Sequence, residues 1–204
     1  MSDKNDINGF DRLWYNPYSS SLDTIGTITC AVNLAVLPIG VFAFESAMGN
    51  FYSREWFTVG TMLVESWLFT YGIKNMIKTT VQRTRPYMYT DTVDKHSLDN
   101  HDYTFSFPSG HSAMSSSVLG GVAYLLRKKT FWCLLLICLV LLVGFSRLWL
   151  GVHTPQDVVC GFLIGLVLIF GIDCVINWAE TDKKRYWYLI AAVNIFTILS
   201  IVYI

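Results

Sequence analysis

A histidine and an aspartate four residues apart could supply a nucleophile and the acid that orients it. His153 precedes a predicted helix start, Thr154-Pro155-Gln156-Asp157, with threonine at the N-cap, proline at N1 and an acid at N3. Asp157 therefore has two candidate roles. It could be the acid of a capping box, or it could accept a proton from His153, which would fix the tautomer and raise the basicity of the imidazole.

A second histidine follows the start of another predicted helix. In Pro108-Ser109-Gly110-His111, Ser109 is expected to be the N-cap. Backbone N–H groups in a first helical turn lack intrahelical partners and favour an anion. Gly110 would let a ligand approach the backbone closely, and His111 could donate a proton. The alternative is an ordinary serine cap with a histidine at the interface.

Three cations accompany these groups. Lys78 and Arg85 are seven residues apart near the predicted end of one helix, where they would share a face with a separation of about 10.5 Å. Arg147 ends another predicted helix. Two cations on one face repel each other unless an anion lies between them. The alternative is contact with lipid headgroups, for which Lys74 and Arg83 are the better candidates.

The elements that position these residues are predicted from composition. The chain has 204 residues, of which 53% are hydrophobic and only 15% charged, whereas soluble domains have about 25% charged residues. A transmembrane helix needs about 20 mostly apolar residues. The apolar runs are Ile25–Met48, Trp56–Ile77, Ser112–Leu126, Thr130–Leu150, Val158–Trp178 and Trp187–Ile204. We predict an all-α, polytopic membrane bundle of six transmembrane helices, forming a single domain over residues 1–204, and exclude a soluble enzyme and a β-barrel.

Six alternating spans place the candidate residues on one face of the membrane. Pro86 is expected to end the second helix near Arg85, because residues before proline disfavour helical geometry. The opposite face carries the basic clusters Arg127–Lys129 and Lys183–Arg185 in short turns. The positive-inside rule then places those clusters in the cytoplasm and the candidate site outside it. The formal net charge is zero, so no nucleic-acid partner is expected.

The three groups of residues resemble a known family signature. Lys78-x6-Arg85-Pro86, Pro108-Ser109-Gly110-His111 and Ser146-Arg147-x5-His153-x3-Asp157 match the three motifs of the type 2 phosphatidic acid phosphatase family, within residues 78–86, 108–111 and 146–157. The superfamily includes lipid phosphate phosphatases and vanadium haloperoxidases. One feature departs from its six-span members: two predicted spans, rather than three, precede the first motif.

The resemblance implies a role for each motif residue. His153 would be the nucleophile, held by Asp157, and His111 would protonate the leaving group. The residues implied to bind the phosphate are Lys78, Arg85, Arg147, Ser109 and Gly110. No metal or other cofactor is implied, although a metal site at His96 and His101 is a minor alternative.

These inferences define an expected function. We expect an integral-membrane, metal-independent phosphatase, in a bacterial inner membrane, that hydrolyses a lipid phosphate through a phosphohistidine. The candidate substrates are an isoprenoid diphosphate, phosphatidic acid, phosphatidylglycerophosphate and a lipid A phosphate. The loop Tyr87–Phe107 would cover the pocket and select the headgroup. The main alternative is a lipid phosphotransferase with the same site; a transporter and a vanadate-dependent peroxidase are further ones.

Overall fold

The structure, a computed structural model, describes residues 20–32, 37–49, 53–86, 105–126 and 128–202. Within these residues the chain forms α-helices and no β-strand, as the all-α prediction requires. The helices are α1 (Ser20–Ala31), α2 (Leu37–Ala47), α3 (Ser53–Val81), α4 (Gly110–Leu125), α5 (Thr130–Trp149), α6 (Pro155–Ala179) and α7 (Lys183–Val202).

Three of the described helices, α5, α6 and α7, are long and apolar enough to cross a membrane. Their outer faces carry large exposed apolar side chains, such as Phe131, Leu141 and Trp149 on α5. Such faces suit contact with lipid chains, which are themselves apolar. The described part of the chain is therefore an all-helical membrane protein, whereas the prediction of six transmembrane helices is not confirmed.

The prediction of one continuous span over Ile25–Met48 is not confirmed. The structure describes two helices there, α1 of 12 residues and α2 of 11 residues, and residues 33–36 between them lie outside the described part. Two described helices, α1 and α2, thus precede α3, the helix that carries the first residue of the first motif.

The helix that carries the first motif ends earlier than predicted. α3 ends at Val81, and Gln82 has a φ of 50°, a left-handed conformation that commonly ends helices. Arg85 therefore lies beyond the helix, in the non-helical residues 82–85. The prediction that Lys78 and Arg85 share one helix face is wrong, because the chain leaves the helix between them.

Small residues bring α4 and α6 into close contact. Gly161 and Gly165 are four residues apart on α6, so both face the same neighbour. A Cβ atom at Gly161 would lie 2.6 Å from the carbonyl oxygen of Ser109, and one at Gly165 would overlap with the carbonyl oxygen of Ala113. This small-xxx-small pattern lets two backbones approach in a membrane bundle. It fixes the start of α4 against α6.

The remaining helices support this pair. α3 packs against α4, α6 and α7, and the amide of Asn194 on α7 donates to the buried carboxylate of Glu65 on α3 at 3.2 Å. The apolar core joins five helices, α3 to α7, and includes side chains such as Leu63, Leu119 and Ile169. The bundle thereby holds the end of α3 and the starts of α4 and α6 together.

Candidate active site

The predicted histidine–aspartate pair lies at the start of α6. His153 and Asp157 are both buried, with 2% and 0% of their surface exposed. Nδ1 of His153 lies 3.6 Å from Oδ2 of Asp157, slightly more than a hydrogen-bond distance. Catalytic hydrogen bonds are often long in structures without substrate and tighten in the complex. The structure therefore brings the two groups within reach of each other.

Asp157 is also the acid of a capping box, as the alternative interpretation predicted. The backbone N–H of Thr154 donates to Oδ2 of Asp157 at 2.8 Å, and the N–H of Asp157 donates to Oγ1 of Thr154 at 3.4 Å. The two roles are compatible, because the same oxygen faces both Thr154 N–H and the imidazole of His153. The cap thus orients the carboxylate toward the histidine.

Ser109 caps α4, as predicted. The N–H of Ser112 donates to Oγ of Ser109 at 3.4 Å, and the hydroxyl groups of these two residues are 2.9 Å apart. The N–H of Ser109 itself donates to the carbonyl oxygen of Asp157 at 2.9 Å. The second motif is therefore hydrogen-bonded directly to the third. Gly110, the first residue of α4, follows at once.

Two of the predicted cations are held by neighbouring segments. Arg147, in the last turn of α5, is only 1% exposed, and a Cβ atom at Gly26 would overlap with its guanidinium group. α1 therefore lies directly against this arginine, and sequence reasoning missed Gly26 because a glycine in an apolar run carries no distinctive signal. Nζ of Lys78 donates to the carbonyl oxygen of Phe105 at 2.6 Å.

The predicted cations lower the pKa of His111, and two of them, Arg85 and Lys78, also lower the pKa of His153. The pKa of His111 is lowered from 6.5 to about 3, first by burial and then by the charges of Arg147, His153, Arg85 and Lys78. Burial, opposed by Asp157, also lowers the pKa of His153 to about 3. Both imidazoles are therefore neutral near pH 7. All three cations of the signature lie close enough to act on one imidazole, although they come from segments far apart in sequence.

Arg83, predicted as a candidate for headgroup contact that no motif claims, is held by residues of the third motif. Its Nη1 atom lies 2.9 Å from Oδ1 of Asp157 and also donates to Oγ1 of Thr154 at 3.0 Å. Sequence reasoning missed this contact because it extended the helix to Arg85. The available signal was the position of Arg83, two residues before a motif arginine.

Lys74, the other candidate for headgroup contact, lies beside the start of α4. Its Nζ atom donates to Oδ1 of Asn75 at 2.5 Å and lies 4.1 Å from the centre of the Tyr71 ring. A Cβ atom at Gly110 would be 3.0 Å from Cδ of Lys74. This lysine therefore forms part of the wall behind the second motif.

Several predicted features lie outside the described residues. His96, His101 and most of the predicted covering loop fall within residues 87–104. In the part of the chain that the structure describes, no group of three or more His, Cys, Asp or Glu side chains is arranged to hold a metal ion.

Comparison with known proteins decides the family. A sequence profile of the PAP2 superfamily matches residues 59–181, more than half of the chain, and this segment contains every predicted site residue. The chain belongs to the PAP2 superfamily. The expectation drawn from the three motifs is thereby confirmed.

Individual PAP2 relatives agree with this assignment. The chain is 30% identical over 169 residues to phosphatidylglycerophosphatase B of Bacillus subtilis, covering 77% of this chain and 73% of that one. It is 30% identical over 112 residues to the undecaprenyl-diphosphatase of Sulfolobus acidocaldarius, covering 55% and 52% of the two chains. These relatives confirm the predicted enzyme class, a phosphatase.

A solved structure shares the fold. The crystal structure of a transmembrane PAP2-type phosphatidylglycerolphosphate phosphatase from Bacillus subtilis matches with a TM-score of 0.58 at 24% identity. The match covers 86% of this chain and 85% of that chain. Together with the apolar helices α5 to α7, it supports an integral membrane protein.

Proposed function

We propose that this PAP2 phosphatase hydrolyses the phosphate monoester or diphosphate of a membrane lipid without a metal, through a phosphohistidine at His153. The observation that carries the proposal is the environment of this imidazole. It is buried, neutral, 3.6 Å from the carboxylate of Asp157, and in the field of Arg85 and Lys78. A neutral imidazole has a lone pair that can attack phosphorus, and nearby cations attract the phosphate.

In the first step, Nε2 of His153 attacks phosphorus, and an N–P bond forms as the bond to the leaving oxygen breaks. Asp157 stabilises the positive charge that develops on the imidazole. His111 gives its proton to the leaving oxygen. A bound phosphate favours the protonated form of His111, because its negative charge offsets the field of the surrounding cations.

In the second step, water attacks the phosphorus of the phosphohistidine. The proton of the water passes to His111, inorganic phosphate leaves, and His153 returns to its neutral form. Phosphoryl transfer depends mainly on positioning and charge stabilisation, so fixed cations can hold the non-bridging oxygens throughout. The groups proposed for this task are Lys78, Arg85, Arg147, Ser109 and the N–H of Gly110.

The substrate class follows from the surroundings of the site. The three motifs meet at one end of a helix bundle whose outer faces are apolar, so a lipid can present its headgroup there while its chains remain in the bilayer. The relatives named above support phosphatidylglycerophosphate and an isoprenoid diphosphate as candidates. Phosphatidic acid and a lipid A phosphate are the other two.

The decisive experiment measures phosphate release from these four lipids by purified protein in the presence of EDTA. We expect activity on at least one lipid, and a loss of at least about a thousandfold in His153→Ala. Gln156→Ala, at an exposed neighbouring position, is the matched control. Retained turnover by His153→Ala would refute the nucleophile, and abolition by EDTA would refute the metal-free mechanism. Transfer of label to an acceptor lipid without free phosphate would instead show a phosphotransferase.

We further propose that the site faces away from the cytoplasm. Lys128, Lys129 and the cluster Lys183–Arg185 lie at the ends of helices opposite to the site, which suits the cytoplasmic side. The test is labelling of intact bacterial cells with a membrane-impermeant maleimide. Gln156→Cys should be labelled and Lys184→Cys should not; the reverse pattern would overturn this orientation.

A further inference from the structure

We propose that Arg83 is a positioning residue of the reaction, whose guanidinium group holds the carboxylate of Asp157 toward the imidazole of His153. The inference rests on the proposed function, because it takes His153 as the nucleophile. Arg83 occupies one of the unspecified positions between Lys78 and Arg85 in the first motif.

The two oxygens of Asp157 have different partners. Oδ1 lies 2.9 Å from Nη1 of Arg83, whereas Oδ2 accepts from the N–H of Thr154 at 2.8 Å and faces Nδ1 of His153 at 3.6 Å. Because Arg83 and Thr154 hold opposite sides of the carboxylate, the group cannot rotate away from the imidazole. Nη1 of Arg83 also donates to Oγ1 of Thr154 at 3.0 Å, so it contacts both members of the capping box.

The backbone of Arg83, like its side chain, is held by a hydrogen bond. The positive φ of Gln82 ends α3 and turns the chain toward the start of α6. The carbonyl oxygen of Arg83 then accepts a hydrogen bond of 2.7 Å from the N–H of Ser106, in the segment that leads to the second motif. Arg83 therefore connects the segments that carry all three motifs.

The negative charge of the buried Asp157 carboxylate is a second reason for the contact with Arg83. Asp157 is 0% exposed, and a buried carboxylate is costly without a cation or several hydrogen bonds. Since His153 is neutral before reaction, the positive charge that the described residues place in contact with the carboxylate comes from Arg83. The carboxylate is thus ionised and in place before the imidazole acquires its own charge on attacking phosphorus.

The test uses the full-length protein in detergent with a short-chain form of the lipid on which it is active. We expect Arg83→Ala to lower kcat by about ten- to a hundredfold, because small displacements of catalytic groups have effects of this size. The KM should change less than about threefold, because Arg83 contacts Asp157 rather than substrate. Gln156→Ala, which removes only a weak 3.4 Å partner of Arg83, should retain normal kcat.

Two further measurements separate positioning from folding. Arg83→Lys should recover part of the kcat, and guanidinium ions should partly rescue Arg83→Ala, because the wild-type side chain is 28% exposed and its space is open to solutes. In the Asp157→Asn background, Arg83→Ala should have little additional effect, as expected of two residues that act as a unit.

The outcomes distinguish this inference from the proposed function. A normal kcat in Arg83→Ala, or an equal further loss in the Asp157→Asn background, would overturn the role of Arg83 while the nucleophile assignment stands. If Arg83→Ala fails to fold, the activity of Arg83→Lys tests the inference instead. A folded lysine variant with no more activity than Asp157→Asn contradicts the inference. Activity between that of Asp157→Asn and that of wild type supports it. Activity in His153→Ala would refute the proposed function itself.

Discussion

The backbone N–H of Ser109 donates a 2.9 Å hydrogen bond to the carbonyl oxygen of Asp157. Ser109 is the N-cap of α4, and Asp157 is in the first turn of α6, so two helix N-termini lie side by side. Each helix N-terminus carries a partial positive charge and unsatisfied N–H groups. The pairing therefore adds to the electropositive character that the signature cations give the site.

Gly161 allows the start of α4 to lie close to α6, and its replacement should disturb this contact between the two helices. A Cβ atom in Gly161→Ala would lie 2.6 Å from the carbonyl oxygen of Ser109 and force α4 and α6 apart. We expect a loss of about 1–3 kcal/mol in the free energy of unfolding, measured as a lower thermal midpoint in detergent, and a lower kcat. Gly171→Ala on the same helix is the control, because nothing lies within 4 Å of its added Cβ. Equal midpoints for the two variants would contradict the packing argument.

Gly26 should matter for substrate binding although it lies far from the motifs in sequence. Alanine at this position would overlap with the guanidinium group of Arg147, which must then move from its buried position. We expect Gly26→Ala to lower kcat/KM by at least about tenfold. Gly40→Ala on α2 is a matched control, since its added Cβ has no neighbour within 4 Å. Wild-type kinetics in Gly26→Ala would show that α1 does not constrain the arginine.

Arg147 should not be replaceable by lysine. The planar guanidinium group can form two parallel hydrogen bonds to phosphate, whereas an ammonium group acts as a point charge. Because Arg147 is only 1% exposed, water cannot compensate for the lost donors. We expect kcat/KM of Arg147→Lys to fall by about a hundred- to a thousandfold, the range for removal of a transition-state donor. The exposed Arg185 provides the control, and Arg185→Lys should behave as wild type.

The low pKa of His153 makes a prediction about stability. In the folded protein this pKa is about 3, against an ordinary value of 6.5. Between these values the unfolded chain binds a proton that the folded chain does not, so the free energy of unfolding falls as the pH falls below 6.5. His153→Asn lacks this proton uptake, so it should lose less stability than wild type between pH 7 and pH 5. Thermal midpoints in detergent at the two pH values measure this, and parallel losses would contradict it.

The sequence determined the features that depend on neighbouring residues. α5 and α6 begin and end within three residues of the predicted runs, because an apolar segment in a bilayer must satisfy its backbone hydrogen bonds within one helix. The caps at Ser109 and Thr154 were also predictable, because each depends on a side chain and an N–H group three residues later.

Only the tertiary structure decided the features that depend on contacts between distant segments. The end of α3 at Val81 was not predicted, because Pro86 was the local stop signal and the left-handed conformation of Gln82 has no strong local signal. That early end places Arg83 against Asp157, 74 positions later, and the packing of α1 places Gly26 against Arg147. Local propensities cannot specify such contacts, because their energies arise only when the helices pack together.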